Sequence, residues 1–334
     1  MIFMKHSIII GLFPMGFFVL LFSQCSNPGN KENSEEARTI SAEGYFPGAD
    51  SLNLFYTIQG QGPDTLVMIH GGPGMDAGYM INDFEKLAES HVLLYYDQRG
   101  GGKSDLPDTS SVQELLSIDR HVADLEALRK YFGFSKMNLL AHSFGPAIAV
   151  NYAIDFSDQV KKMVFIGPIP PYRGDFLKRY DNDLSSRLHE EELKKMDSLA
   201  QEMIRGKDPV GACMAYWNIA LKPRVSSELP LSVVKGKCCT APAEGIRYGY
   251  QYTGEITFAS LGDWDYRNKI TKLMMPVLII HGVEESIPMD MVEEWIKYLP
   301  NAKLEKIERA AHFPYAERPE VVGRILESFL GESI

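Results

Sequence analysis

The chain has 334 residues, of which 45% are apolar and 23% are charged, and its net charge is −10 at pH 7. This length fits one large α/β domain with an insertion, or two domains, and the composition supplies a full core. The acidic balance and the lack of a basic stripe argue against nucleic acid as a partner. The cysteines lack the spacing of metal ligands, so neither a metal nor another cofactor is expected. Cys238 and Cys239 are adjacent and would form a vicinal disulfide or remain unpaired or mispaired.

The N-terminus has the pattern of an export signal. Residues 1–24 are predicted to be a signal peptide resembling that of bacterial lipoproteins, because a positively charged start precedes the apolar run 8–22, which is short for a membrane span. In that pattern Cys25 becomes the lipidated first residue, and the polar residues 25–37 form a flexible tether. Gln24 is bulky for the pattern, so an uncleaved anchor and plain secretion stay open. We expect an exported protein of the bacterial envelope or periplasm, attached to a membrane only through a lipid at Cys25.

From residue 38 onward, strand patterns and helix patterns alternate. Strands are predicted at 40–46, 51–58, 65–69, 92–96, 137–140, 160–166, 276–282 and 303–307, the first two as a hairpin. Helices are predicted at 79–89, 117–131, 146–153, 290–298 and 319–330. Continuous apolar strands indicate a mostly parallel sheet with helices on both faces. We assign residues 38–166 and 265–334 to this α/β core, and residues 167–264, where strand patterns vanish, to a mainly helical cap.

Ser143 lies in a small-x-Ser-x-Gly turn between a predicted strand and a predicted helix. This context is typical of a nucleophile elbow, in which the serine hydroxyl is exposed above the sheet. Small neighbours are needed because the strand and helix backbones approach closely, so Gly145 fits and Ala141 is the largest residue expected in its position. An ordinary buried serine would also fit such a turn, so the interpretation depends on partners elsewhere in the chain.

Several motifs resemble those of one family. They are His70-Gly-Gly-Pro-Gly74, Asp97-Gln-Arg-Gly100 followed by Ser104, the turn at Ser143, and Gly262-Asp-Trp-Asp265. On these motifs the chain from about residue 40 resembles the α/β-hydrolase fold, and more narrowly the proline iminopeptidase group with the related tricorn-interacting aminopeptidases. The resemblance implies a serine hydrolase in which the cap selects the substrate.

The resemblance also implies a triad of serine, acid and histidine. Ser143 would be the nucleophile, and His312, in the loop after the last strand, would be the base that takes its proton. The family pattern H-G-x-x-D-x-x-P reads His281-Gly-Val-Glu-Glu285-Ser-Ile-Pro288 here, which puts Glu285 in the position of the acid. Glutamate can orient the imidazole as aspartate does. Glu284 in its place, or a triad without an acid from this loop, are the alternatives.

Backbone N–H groups are expected to stabilise the tetrahedral intermediate in an oxyanion hole. The N–H of Phe144, directly after the nucleophile, is one donor, and by resemblance the N–H of Gly72 is the other. His70 and His142 are given structural roles.

Asp97 and Arg99 are expected to form a buried ion pair with each other that holds the loops around the site.

Three functions are compatible with these residues. The first is an exported aminopeptidase that releases an N-terminal residue, such as proline, from short peptides through an acyl-enzyme. It would need an acidic cap residue to pair with the substrate ammonium, for which Glu244 is the first candidate and Glu255 the second. The second is an esterase or amidase acting on another small acyl substrate, and the third is a binding protein without turnover. No oligomeric state is predicted.

Overall fold

The computed structural model describes residues 42–331, so the predicted signal peptide, the tether and Cys25 lie outside the described residues. Within 42–331 the strands are β1 (Ala42–Pro47), β2 (Asn53–Gly60), β3 (Asp64–Ile69), β4 (His91–Tyr96), β5 (Met137–His142), β6 (Val160–Ile166), β7 (Val277–Gly282) and β8 (Ala302–Ile307). They form one eight-stranded sheet in the order β1-β2-β4-β3-β5-β6-β7-β8. β1 and β2 form the predicted antiparallel hairpin, β2 also pairs antiparallel with β4, and the remaining pairs are parallel.

Helices cover both faces of this sheet and fill the segment between β6 and β7. They are α1 (Val112–Leu115), α2 (Ile118–Tyr131), α3 (Gly145–Asp155), α4 (Phe176–Ser186), α5 (Glu190–Arg205), α6 (Pro209–Ala220), α7 (Ala243–Tyr248), α8 (Gly254–Ser260), α9 (Arg267–Ile270), α10 (Met289–Val292), α11 (Glu294–Tyr298), α12 (Pro314–Glu317) and α13 (Pro319–Gly331). A π-helical turn, Gly249–Thr253, joins α7 to α8. The predicted fold class, a mostly parallel sheet with helices on both faces, is confirmed.

The centre of the sheet determines where the site lies. β5 is buried along its whole length between β3 and β6, and β7 is equally buried. Their apolar side chains belong to two clusters, one on each face of the sheet. Because parallel strands end at the same edge, the loops after β3, β5, β7 and β8 meet there.

The helix predicted at 79–89 is wrong. The structure has only short 3₁₀ turns at Ala77–Tyr79 and Leu87–Glu89 in this region. Asn82 between them has a φ of 78°, a left-handed conformation that an α-helix does not accommodate. The predicted helix at 290–298 is present as two short helices, α10 and α11.

The segment between β6 and β7 carries the helices expected of a cap. A disulfide joins Cys213 on α6 to Cys239 before α7, so the vicinal pairing of Cys238 with Cys239 is wrong. The two adjacent side chains pack in different clusters: Cys239 lies against the helices α5 and α6, and Cys238 lies against the core near Tyr79. Across residues 42–331, none of the helices is long and apolar enough to cross a membrane.

The predicted ion pair between Asp97 and Arg99 is also wrong. Arg99 is fully buried and makes two hydrogen bonds to Asp124, at 2.6 and 2.7 Å, and one to Asp50 at 3.0 Å. Asp97 instead accepts the N–H groups of Ala77 and Lys103, at 2.9 and 2.8 Å. Both side chains anchor loops as expected, but neither does so through the other.

We predict that Arg99→Met lowers the free energy of unfolding by about 3–5 kcal/mol, because Asp124 would remain buried without its counter-ion. Urea unfolding at neutral pH measures this. The double variant Arg99→Met/Asp124→Leu should recover much of the loss, since no unpaired charge remains. Lys86→Met, which breaks an exposed pair with Glu320, is the control and should change little. An unchanged urea midpoint for Arg99→Met would contradict the anchoring role.

Candidate active site

The turn after β5 holds Ser143 in a backbone conformation that side chains rarely adopt. Its φ is 60°, in the left-handed region. The N–H of Ser143 donates to the carbonyl of Ile166 at 3.0 Å, and the Ser143 carbonyl accepts from Ile169 at 3.0 Å, so the end of β6 holds the turn. A Cβ at Gly145 would lie only 2.5 Å from the carbonyl oxygen of Ile69. This close approach explains the small residues expected in an elbow.

The loops after three strands bring together the three side chains of the predicted triad. Ser143 follows β5, Glu285 follows β7 and His312 follows β8. The Nε2 atom of His312 lies 3.1 Å from the Ser143 Oγ, and its Nδ1 lies 2.5 Å from Oε2 of Glu285. The first distance fits an ordinary hydrogen bond, and the second is shorter than the usual range for N–H···O bonds. The arrangement has the geometry of a hydroxyl, a base and the acid that orients the base.

Glu285 is buried and has partners for both carboxylate oxygens. Oε2 faces His312, and Oε1 accepts the N–H groups of Ser286 at 2.7 Å and Ile287 at 3.2 Å. Burial alone would raise the pKa of Glu285, but the neighbouring His312 and the backbone N–H groups lower the pKa to about 2. The carboxylate is therefore ionised at neutral pH and can accept a hydrogen bond from the Nδ1–H of His312.

Glu284, the alternative acid, is only partly buried, and its backbone forms hydrogen bonds with neighbouring loops. Its N–H donates to the carbonyl of Ala310 at 2.9 Å, and its carbonyl accepts from Arg187 at 2.8 Å. Hence the structure brings Glu285, and not Glu284, to the imidazole of His312.

The two predicted oxyanion donors have N–H groups that the protein leaves unused. Within residues 42–331, no protein acceptor takes a hydrogen bond from the N–H of Gly72 or of Phe144. Gly72 has a φ of 57° and lines the cavity that contains Ser143. Since buried N–H groups are nearly always paired, two unused ones beside a serine suit a developing negative charge.

His142 connects the oxyanion loop to the loop that carries His312. The Tyr79 hydroxyl accepts the N–H of Gly71 at 2.7 Å and donates to Nδ1 of His142 at 2.8 Å. The Nε2–H of His142 then donates to the carbonyl of His312 at 2.9 Å. Burial lowers the pKa of His142 to about 3, so the ring is neutral, as these bonds require. The structural role expected of His142 is therefore one of positioning both loops.

His70 supports the oxyanion loop from below. Its Nδ1 donates to the carbonyl of Gly71 at 2.8 Å, and its Nε2 accepts the N–H of Gln98 at 3.1 Å. Burial lowers the pKa of His70 to about 4, which keeps this ring neutral too.

A buried carboxylate holds the loop of His312. Glu317 accepts the N–H groups of Ala311 and Phe313, both at 3.0 Å, and that of Ser226 at 2.7 Å. The N–H of His312 itself donates to the carbonyl of Arg224 at 2.9 Å. The loop of the base is thus tied to the segment that follows α6.

The cavity at Ser143 is small, about 130 Å³. It is lined by Gly71, Gly72, Met75, Tyr79, His142, Ser143, Tyr180, Trp217, Arg224, Cys238, His312 and Phe313. Burial raises the pKa of Cys238 to about 12, so this thiol does not compete as a nucleophile at neutral pH. A larger groove of about 950 Å³ lies at the opposite edge of the sheet and contains none of the predicted site residues.

Glu244 and Glu255, the two candidates for binding a substrate ammonium, are exposed and do not line this cavity. Glu244 lies in the first turn of α7 and Glu255 in the first turn of α8. The structure therefore does not bring either carboxylate to Ser143.

Comparison with known proteins agrees with this fold. The family described as the alpha/beta hydrolase fold matches residues 64–206. A proline iminopeptidase of Saccharolobus solfataricus is 26% identical over 308 residues, covering 88% of this chain and 94% of that protein. A proline iminopeptidase of Clostridioides difficile is 24% identical over 295 residues, covering 86% of this chain and 97% of that protein. The structure of an alpha/beta fold family hydrolase from Bacillus anthracis superposes with a TM-score of 0.65 at 19% identity. The superposition covers 87% of this chain and 100% of that one.

The chain has the α/β-hydrolase fold, and its sequence is similar to those of proline iminopeptidases.

In this hydrolase, sequence reasoning missed several residues that line the cavity, among them Tyr79 and Arg224. The sequence pattern placed Tyr79 in a predicted helix. The only sign that it lies near the active site was its position six residues after the loop at Gly72–Pro73. Arg224 lies in the 3₁₀ turn Lys222–Arg224, in a cap whose sequence matches the family poorly. No local pattern distinguishes this arginine from a solvated one.

We predict that Glu285→Gln lowers kcat on an activated aryl ester by about 10²- to 10⁴-fold, because an amide neither stabilises the imidazolium nor selects the right tautomer. Glu285→Asp should retain much of the activity if the loop can move forward to close the gap. Glu284→Gln is the matched control, with the same chemical change one residue away, and should be nearly silent. A silent Glu285→Gln beside an impaired Glu284→Gln would reverse the assignment of the acid.

Proposed function

We propose that this protein is a serine hydrolase that works through the triad Ser143, His312 and Glu285. The single observation that carries the proposal is the hydrogen-bonded chain from the Ser143 Oγ through both nitrogens of His312 to Glu285. A serine hydroxyl needs such a base to act as a nucleophile at neutral pH.

The mechanism follows from the donors and acceptors of the site. His312 takes the hydroxyl proton as Ser143 attacks the scissile carbonyl, and Glu285 stabilises the imidazolium that forms. The N–H groups of Gly72 and Phe144 receive the negative charge of the tetrahedral intermediate. His312 then gives its proton to the leaving group, and water releases the acyl group from Ser143 by the same steps.

The substrate class we propose is the short peptide, from which the enzyme releases an N-terminal residue, with proline as one candidate. The similarity to proteins named proline iminopeptidases supports this choice. The small cavity at Ser143 is compatible with a small acyl group.

A second candidate is an esterase or amidase acting on another small acyl compound. It is favoured by one observation: none of the cavity-lining residues within 42–331 is Asp or Glu, so a substrate ammonium has no counter-ion there. An uncompensated ammonium in a partly buried site would be costly to desolvate.

We also propose that the protein is exported, with Cys25 as the lipidated residue. The signal-like sequence of residues 1–24 supports this, and so does the disulfide between Cys213 and Cys239, since disulfides persist mainly in oxidising compartments. Fractionation of cells expressing the full chain, with metabolic labelling by a fatty acid, tests it. Label that survives in Cys25→Ala would contradict the lipid site.

We predict that Ser143→Ala abolishes both turnover and labelling by a fluorophosphonate probe, with kcat falling by roughly 10⁴- to 10⁶-fold. His312→Ala should have a similar effect, because the hydroxyl loses its base. The thermal midpoint of each variant, measured beside the wild type, shows that the fold is retained. Turnover that persists in Ser143→Ala would refute the serine hydrolase proposal.

The two substrate classes are distinguished by a panel of aminoacyl arylamides, their N-acetylated forms and simple aryl esters. An aminopeptidase should hydrolyse the free aminoacyl compounds at least tenfold faster than the acetylated ones, because only the former carry the ammonium it recognises. Equal rates on both forms, with good turnover of simple esters, would favour the esterase or amidase instead.

A further inference from the structure

The cavity at Ser143 has a cationic wall. Arg224 lines it together with the triad residues Ser143 and His312, whereas no Asp or Glu is among its lining residues in the described part of the chain. Glu285 lies behind His312 and is already engaged by it. The cavity therefore presents a guanidinium to a substrate and no carboxylate.

No carboxylate within residues 42–331 forms a salt bridge with the guanidinium of Arg224, although the charge of Glu285 acts on it from beyond salt-bridge distance. Its Nη1 donates to the carbonyl of Ala220 at 2.7 Å. Its Cζ lies 5.9 Å from the ring centroids of both Tyr180 and Trp217, which also line the cavity. Tyr180 interacts with the guanidinium through its side chain as well. Since a guanidinium carries five N–H donors, these contacts leave donors for a ligand in the cavity.

The position of Arg224 relative to the base is fixed by the backbone. The carbonyl of Arg224 accepts the N–H of His312 at 2.9 Å. Two residues later, the N–H of Ser226 donates to Glu317, the same carboxylate that holds Ala311 and Phe313 on either side of His312. Arg224 is therefore built into the framework of the site and is not a mobile surface side chain.

We propose that Arg224 binds a carboxylate of the substrate while Ser143 attacks the scissile carbonyl. The planar fork of a guanidinium suits a carboxylate, which it can bind through two parallel hydrogen bonds. The carboxylate itself does not react, so the bonds formed and broken are those of the hydrolysis already described. The proposal rests on the proposed serine hydrolase function and specifies its substrate.

Two kinds of substrate carry a carboxylate close to the scissile bond. In a dipeptide it is the C-terminal carboxylate of the leaving residue. In a hemiester or hemiamide of a dicarboxylic acid it belongs to the acyl group. Both present the same chemistry to Arg224, and kinetic comparison separates them.

The experiment compares pairs of substrates that differ in one charge. The acyl-side pair is mono-p-nitrophenyl glutarate and its neutral methyl ester, and the leaving-side pair is prolyl-alanine and prolyl-alanine amide. In wild type, kcat/KM should be about 10- to 100-fold higher for the charged member of one pair, as expected for a charge-assisted hydrogen bond. The pair that shows the preference identifies the source of the carboxylate.

Arg224→Gln should remove that preference, so that the ratio of kcat/KM for the charged member to kcat/KM for the neutral member falls to about one. Arg224→Lys should restore part of it, because the charge returns without the fork. Lys222→Gln is the matched control: it removes one positive charge from the same 3₁₀ turn, where Lys222 pairs with Glu192 outside the cavity, and should keep the preference. Equal loss on both members of a pair in Arg224→Gln, or no preference in wild type, would overturn the proposal.

The outcome for Arg224 is separable from that for the hydrolase function. If the fluorophosphonate labels Ser143 and neutral esters are turned over, but the charge of the substrate has no effect on kcat/KM, the hydrolase proposal holds and the carboxylate site is rejected. If no substrate is turned over, calorimetric titration of Ser143→Ala with glutarate replaces the kinetics. Glutarate should then bind Ser143→Ala and fail to bind Ser143→Ala/Arg224→Gln, and absence of binding to both would reject the site.

Discussion

The hydrogen bonds of the His142 imidazole join the two loops on which the proposed chemistry depends. Through Tyr79 the ring holds Gly71 in the oxyanion loop, and through Nε2–H it holds the carbonyl of His312. Both bonds need a neutral ring with its proton on Nε2, and burial at the end of β5 keeps the ring neutral. Because His142 directly precedes Ser143, one rigid group sets the spacing of nucleophile, base and oxyanion loop.

Buried carboxylates perform the same task for the surrounding loops, which have no regular structure to satisfy their N–H groups. Asp97 accepts from Ala77 and Lys103, and Asp76 accepts from Gly78 and from the cap segment at Thr240–Ala241. Glu317 does so around His312. The N–H groups of Gly72 and Phe144 have no such partner within residues 42–331, and their position beside Ser143 suits the oxyanion of the proposed mechanism.

The sequence predicted the core well because buried parallel strands are continuous apolar runs, and because the elbow and the loop at His70–Gly74 have distinctive local patterns. The position of Glu285 could be counted from the end of β7, since the strand fixes where the loop emerges. Interaction partners distant in the chain could not be located by counting residues from the end of a strand. Arg99 was expected to pair with its neighbour Asp97, and its partner is Asp124. A bond between Cys239 and Cys238 was one of the alternatives left open, and the partner of Cys239 is Cys213. In each case packing, and not proximity in sequence, selects the partner.

The cap is where sequence similarity and local chemistry diverge. Similarity to proline iminopeptidases predicts a substrate with an ammonium group. The carboxylates expected to bind it, Glu244 and Glu255, are exposed and do not line the cavity, whereas Arg224 does. An ammonium and a guanidinium a few ångströms apart in a site of about 130 Å³ repel each other, and the low dielectric of such a site strengthens that repulsion. Any ammonium of a peptide substrate would therefore have to lie away from Arg224, with the carboxylate end of the same short peptide towards it. In the proposed function, the loops after the strands supply the bond-breaking chemistry, and one turn between β6 and β7, tied to His312 through its backbone, selects the charge of the substrate.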